Sequence, residues 1–290
     1  MELLTDVERG QWIVERAGAW ATVGGVAGAG FEAYARVLHP IEATRVDLTR
    51  SDEWGQHPIE EETTWTWATV AERNGRVMHP LVQWRRLTDD ESLMSFPDGW
   101  GLSQSREGWL DPRLFAALTE HLAKATTVPD NMVIALWDGW GFDARFSFYM
   151  SSDSGEGDDS ERSRAWEEQA RQEASAAVSA EFLAAVRRGP RLAYPGREFV
   201  LMQGSLTELA DPAWGERAGI GWMPYRPEPT PQMFWPGDHA WVVASEIDWD
   251  STIVAGSRQL IDDVLADPAF EAYDVGEDDL LTWDGDHVNS

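Results

Sequence analysis

The chain has 290 residues, enough to bury one large core or two small ones, and 43% of them are apolar. Its 51 acidic and 23 basic residues give a net charge of −28, a surface that repels phosphate backbones and sets direct nucleic-acid binding aside. Cysteine is absent, which excludes disulfides, thiol catalysis, thiolate zinc sites and iron–sulfur clusters.

A first helix is expected over Leu3 to Ala17. The stretch VGGVAGAG (Val23 to Gly30) has the spacing G-x-x-G-x-G. It lacks the preceding buried strand, the later ribose-binding acid and the Lys-Ser/Thr that phosphate loops need, so no phosphate site is expected there. Ala17 to Phe31, the longest mostly uncharged stretch, holds five glycines and is no membrane span, which takes roughly 20 apolar residues. The sequence FEAYARVL (Phe31 to Leu38) reads as a helix stopped by His39-Pro40. Thr49 to Glu62 reads as an exposed acidic loop. TWATVAERNG (Thr66 to Gly75) reads as a short helix closed by Gly75. HPLVQWRRL (His79 to Leu87) is expected to hold a strand, and Thr88 to Glu107 is turn-rich.

Asp111-Pro112 opens the clearest helix of this half, with the Asp as cap and the Pro at the first helical position. Leu114, Phe115, Leu118 and Leu122 recur behind it at helical spacing. MVIALWD (Met132 to Asp138) is a buried strand. Residues 151–190 are expected to form an insertion, an acidic Ser/Gly break followed by a polar surface helix over Arg164 to Arg188. REFVLMQG (Arg197 to Gly204) is a strand. A proline-rich irregular run from Gly219 to Asp238 precedes the strand AWVVASEI (Ala240 to Ile247). STIVAGS continues as another strand, and Ser257 caps a helix whose apolar face is Leu260, Ile261, Val264 and Leu265. EAYDV (Glu271 to Val275) is a last strand. Strands and helices do not alternate regularly, which favours one integrated α+β domain over residues 1–290, a mixed or antiparallel sheet flanked by helices.

The stretch EIDWDST has the spelling D-x-D-x-T after a buried strand, as in phosphoryl-transfer nucleophile loops. In that chemistry Asp248 would attack phosphorus, Asp250 would move the proton and Mg²⁺ would neutralise the charge. The fold that uses the motif places it on its first strand and needs a later lysine, whereas Lys124 is the only lysine here. A strand-end acidic turn is the simpler reading. The six histidines include no H-x-x-x-H pair, and three of them precede proline at element ends. No G-x-S-x-G elbow occurs.

The chain has 17 tryptophans against five tyrosines. Core and rim packing accounts for most of such a number. Two aromatic–acid clusters stand at strand ends, Trp137, Asp138 and Trp140 in one and Trp235, Asp238 and His239 in the other. If the two ends meet, they make a cleft suited to a cation, a sugar or an inserted Arg or Lys side chain.

The blocks GFEAYARVLHP, TWATVAERNGRVMHPLVQW and ALWDGWG resemble those of an uncharacterised actinobacterial protein family with no known activity. So do FWPGDHAWVVASEIDWDSTIVAGSRQLIDDVLADPAFEA and the closing GDHVNS. The resemblance spans most of the chain except Ser151–Arg188. It implies a bacterial, cytoplasmic protein and brings no catalytic residue or cofactor with it. The N-terminal stretch MELLTDVERG also lacks the basic region of a secretory signal.

Three functional expectations result. The first is a non-enzymatic acidic protein-binding module, of the immunity or antitoxin kind, that recognises a basic partner. Residues 241–290 hold 13 acids against one base, Arg258, and this reading expects the acids to form one contiguous face. The second is a metal-dependent hydrolase or phosphatase using Asp248 and Asp250. The third is a small-ligand binder with a Trp-lined cleft. Composition alone, through GC-rich coding or adaptation to salt, also produces such acidity. Oligomeric state is left open.

Overall fold

The computed structural model describes residues 2–89, 91–140, 142, 176–222 and 229–289. The expected acidic break Ser151–Glu161 and the first half of the helix after it lie outside these residues.

Among the described residues the chain is α+β, with thirteen strands in two antiparallel sheets and helices packed on them. The strands are β1 (Glu2–Leu4), β2 (Ala33–Leu38), β3 (Ile41–Val46), β4 (Ile59–Trp65), β5 (Leu93–Ser95), β6 (Trp100–Ser103), β7 (Met132–Trp137), β8 (Leu192–Tyr194), β9 (Arg197–Gly204), β10 (Met233–Pro236), β11 (Val242–Ala244), β12 (Ser251–Gly256) and β13 (Ala272–Val275). Nine of them form the large sheet in the order β1-β9-β7-β10-β11-β12-β2-β13, with β8 also on β9. The small sheet runs β4-β3-β6-β5.

Side chains alternate between the faces of the large sheet. On β7, Met132, Ile134 and Leu136 enter one core, and Val133 and Ala135 enter the other. The first core is closed by three amphipathic helices. Phe115, Leu118 and Leu122 come from α5 (Pro112–Lys124), Phe182 and Val186 from α6 (Ala180–Arg188), and Leu260, Ile261 and Val264 from α9 (Arg258–Ala266). The second core lies under the N-terminal segment, where α1 (Gln11–Val14) and α2 (Val23–Ala27) contribute Ile13, Val23, Val26 and Ala27. A third core joins the small sheet to α3 (Trp67–Asn74) and α4 (Trp84–Leu87). Short helices at Leu206–Leu209 (α7) and Trp214–Ala218 (α8) pack beside the first core.

The local signals at helix ends hold. Asp111 accepts from the amides of Arg113 and Leu114, and Thr66 and Ser257 cap α3 and α9. Gly75 ends α3 in the left-handed conformation at φ 66°. Four expectations are corrected. FEAYARVL is strand β2, not a helix, because Ala33, Ala35 and Val37 face one core while Tyr34 and Leu38 face others. Leu3 to Ala17 is split into β1, a 3-10 turn and α1. The stretch 79–87 holds α4 rather than a strand, and the loops at 49–62 and 88–107 contribute β4, β5 and β6. The glycines of 23–30 serve close packing. A Cβ on Gly25 would stand 2.0 Å from the Ala19 carbonyl oxygen.

In the middle of β2 the Arg36 guanidinium is wholly buried. Nε donates to Ser251 Oγ (3.0 Å), and Nη1 donates to the carbonyls of Val82 (2.8 Å) and Pro80 (3.1 Å). Nη2 lies 3.5 Å from the Asp250 carboxylate, the counter-charge. The 79–83 loop is held in turn by Asp286, which accepts from His79 Nε2 and the Gln83 amide. A buried cation without its anion is costly, so Asp250→Ala should lower unfolding stability by about 3–5 kcal/mol in urea titration. The double variant Arg36→Met/Asp250→Ala should recover part of that loss. A loss under about 1 kcal/mol for the single variant would remove the pair from the account.

Candidate functional site

Two hollows lie on the second-core face, at opposite ends of the β7–β10 pair. The more enclosed one, of about 200 Å³, is walled by Trp20, Trp137 and Trp249 and floored by Tyr194, Phe199 and Met233. Residues Glu246 to Trp249, in the turn between β11 and β12, form its rim together with Arg197 at the start of β9.

Arg197 is the charged centre of that rim. Its Nε donates to Glu246 Oε1 at 2.7 Å, and Nη2 reaches both Glu246 (2.6 Å) and Asp248 (2.5 Å). Its guanidinium carbon sits 5.9 Å from the Trp137 ring centroid. Glu246 also accepts the Asp248 amide at 2.7 Å. One cation is therefore set between two carboxylates, and the rim has one negative charge in excess. Burial holds the Glu246 carboxyl above its usual range against the pull of the Asp248 amide and of Arg197, with the Asp248 charge adding to the rise. Glu107, behind the turn, is also raised, by burial first and then by the charges of Asp250 and Asp248.

The walls are fixed by neighbours. The Gln232 side-chain oxygen accepts both the Trp137 amide (2.8 Å) and the Trp140 indole N–H (2.9 Å). Trp140 meets Trp137 edge-on at 5.9 Å. Trp20 is 78% exposed, a large apolar group presented to solvent, and stands 6.3 Å from Trp249. It is followed by Ala21 at φ 63°, a conformation unusual for a residue with a Cβ.

The turn that carries Glu246 and Asp248 rests on a buried relay. His39 Nδ1 lies 2.7 Å from the Arg106 carbonyl, which can only accept, so the proton is on Nδ1. Nε2 then accepts from Thr252 Oγ1 (2.9 Å), and Thr252 Oγ1 accepts from Ser245 Oγ (2.6 Å). The order Thr–His–carbonyl has the look of a nucleophile relay. Thr252 is fully buried and lines neither hollow, so it acts as a strut.

The sequence candidates are thus divided. Asp248 reaches the cleft and Asp250 turns inward to Arg36, so the two carboxylates of D-x-D-x-T are held by different arginines and face different ways. Among the described residues no group of three or more His, Asp or Glu could hold a metal ion. Asp248 and Asp250 do not converge on a common point in this turn. Trp137 lines the cleft and Trp140 supports it, while Asp138 pairs with Arg191 at 3.1 Å. Trp235, Asp238 and His239 belong to the other end. Trp235 pairs across to Val133 while Trp137 stands beyond Ala135, so the antiparallel arrangement carries the two clusters apart. Four residue steps along β7, from Val133 to Trp137, separate Trp235 from Trp137, roughly 13 Å at the rise of a strand. Asp238 is occupied in accepting from Thr126 and Thr127.

Arg197, Glu246, Trp20, Trp249 and Gln232 were not legible as site residues. Glu246 and Trp249 flank the motif that drew attention, and Arg197 opens an evident strand. Nothing in the sequence around Trp20 or Gln232 marks them.

Not all of the acids of 241–290 are presented to solvent. Asp250 and Asp286 are buried, and Glu271 accepts the amides of Trp67 and Ala68 at the start of α3. Glu277 accepts from Gly30 and Tyr34, and Asp267 accepts from His121 if the histidine carries the proton on Nε2. These five carboxylates hold the fold together.

Comparison of the chain with protein-family models, with curated proteins and with solved structures gave no match.

Burial lowers the His39 pKa to about 4, with Arg36 adding to the effect. The unfolded chain takes up this proton near pH 6.5, so the contribution to stability is complete above pH 6.5 and is lost as pH falls towards 4. The fall from 6.5 to about 4 corresponds to roughly 3 kcal/mol. The His39 Hε1 resonance should stay still from pH 8 to pH 5, and a midpoint near 6.5 would contradict the buried, neutral relay.

Proposed function

We propose that the protein is a binding module whose Trp-walled, acid-rimmed cleft receives the cationic side chain of a basic protein partner. The observation that carries this is the rim itself, where Arg197 is shared by Glu246 and Asp248 and one negative charge is left over beside exposed Trp20. A guanidinium or ammonium group entering there meets indole faces and restores neutrality. An anion would meet two carboxylates first. Burial of a cation is favoured by Trp more than by any other ring.

The cleft narrows the broader expectation of an acidic face. Recognition is assigned to one hollow and its rim rather than to the net charge, which acts over longer range by steering a basic partner and repelling nucleic acid. An immunity or antitoxin role, a cytoplasmic location and membership of the actinobacterial family belong to the same reading and rest on the sequence. Among the described residues, no helix is long and apolar enough to cross a membrane. A second reading, a free small-molecule cation as ligand, is supported by the apolar floor of Tyr194, Phe199 and Met233.

The test is a titration of N-acetyl-arginine amide against its uncharged citrulline analogue, followed by tryptophan fluorescence and calorimetry. The arginine probe should saturate and the citrulline probe should not. Trp20→Ala should weaken binding by about five- to thirtyfold, the worth of one cation–π contact of about 1–2 kcal/mol. Asp248→Asn should weaken it by about tenfold. Because the cation favours ionised Glu246, affinity should rise with pH through the carboxylate range and then level off. Equal binding of both probes would overturn the proposal.

A further inference from the structure

The polar groups around the Trp-walled cleft are already committed to one another. Glu246 Oε1 accepts from Arg197 Nε and Nη2, and Asp248 Oδ2 accepts from the same Nη2. The Asp248 amide donates to Glu246 Oε2. The Gln232 side-chain oxygen accepts the Trp137 amide and the Trp140 indole N–H, which fills both of its lone pairs. The Tyr194 hydroxyl donates to the Gly25 carbonyl. The Asp248 side chain is 60% exposed, so the lone pairs it has left stay in water. The rim therefore offers a ligand more charge than free acceptors.

The walls add aromatic surface to that charge. A cation already stands over the Trp137 ring, with the Arg197 guanidinium carbon 5.9 Å from its centroid. The ring is seated against Gly139, where a Cβ would come within 2.1 Å of Trp137 Cζ2. Trp20 and Trp249 are inclined at 51°, an open angle between two rings rather than a stack. The floor of Phe199 and Met233 is apolar. A lysine ammonium brings three N–H groups and a guanidinium five, and each one buried without an acceptor costs about 1–3 kcal/mol. A quaternary ammonium brings the same charge and no N–H.

We infer that the cleft selects a trimethylammonium group, as on a trimethylated lysine side chain, over an unmethylated ammonium or a guanidinium. This choice of cation rests on the cationic reading of the cleft and narrows it to one class. Methylation keeps the lysine charge and removes its donors. The methyl groups pack on indole rings and the apolar floor, and the excess charge of the rim acts on them through space. Arg197 is the positioning residue. By taking carboxylate lone pairs for itself, it removes the acceptors that an ammonium or a guanidinium needs. It also leaves the single negative charge that one cation cancels.

The experiment titrates four probes against the full chain by calorimetry. They are the N-acetyl amides of lysine, of trimethyl-lysine, of arginine and of the uncharged isostere in which carbon replaces the quaternary nitrogen. Trimethyl-lysine should bind tighter than arginine, and about tenfold or more tighter than lysine and the carbon isostere. Choline carries the same headgroup on a short alcohol and stands for a free ligand. It should bind more weakly than trimethyl-lysine, whose aliphatic stem buries more apolar surface, and a tighter choline would overturn the assignment to a side chain. Arg197→Met keeps the length of the side chain and releases the carboxylates. Lysine and arginine should gain affinity there, and the preference for trimethyl-lysine over lysine should narrow to about threefold or less. Trp20→Leu, at an exposed position, should weaken trimethyl-lysine more than the carbon isostere. Trimethyl-lysine binding no tighter than lysine, or no tighter than the carbon isostere, sinks the inference. The proposed function then still stands if arginine saturates and citrulline does not, and it falls separately if those two bind alike. A preference unchanged in Arg197→Met removes Arg197 from the account.

Discussion

The buried Arg36–Asp250 contact fixes the geometry on which the rest of the molecule depends. A guanidinium in an apolar core must find an anion and an acceptor for nearly every N–H. Arg36 finds them on two pieces of chain far apart in sequence: the 80–82 loop, and Asp250 with Ser251 at the start of β12. Satisfying one side chain thereby locks the small-sheet side of the molecule to the large sheet. It also sets which way the Glu246–Asp250 turn faces. With Asp250 drawn inward, Glu246 and Asp248 are left to the rim and to Arg197.

The same logic explains how so acidic a chain folds. Its carboxylates are used where backbone donors lack partners. Glu271 caps a helix that is far away in sequence, Asp286 gathers the amides of Gln83, Val288 and Asn289, and Glu277 accepts from Gly30. Tryptophan is used in a similar way. The indoles of Trp67, Trp241 and Trp84 donate to the carbonyls of His39, Leu122 and Glu91, so large apolar rings are buried without orphaned N–H groups. Against that background the unpaired indoles of Trp12 and Trp235 stand apart.

Strong local signals were readable in the sequence and long-range ones were not. The β7 and β9 runs and the caps at Asp111, Thr66 and Ser257 announced themselves because each depends only on neighbours a few residues away. FEAYARVL misled because alanine, glutamate and leucine favour helix in isolation, while its alternation Ala33, Ala35, Val37 was the true signal. The expected cleft joined two strand-end clusters that the sheet keeps apart. Trp137 does line a hollow, with Asp248 on its rim, but the cluster expected opposite it, Trp235, Asp238 and His239, lies towards the other end of β7. Pairing direction is set by the sheet order and leaves no mark in the local sequence of either strand.

The pairing of β2 has a consequence for the order in which the molecule can be made. This strand lies one in from an edge of the large sheet, and both its neighbours, β12 and β13, begin at Ser251 and Ala272, more than two hundred residues later in synthesis. A ribosome-tethered chain that has emerged only as far as β11 carries an apolar strand with both edges bare and an arginine whose counter-ion does not yet exist. Such a chain must keep β2 from pairing elsewhere for most of its translation, through transient cover or through a chaperone. Completion of the sheet is then one late, cooperative event, and slow folding is the expected cost of so non-local a topology.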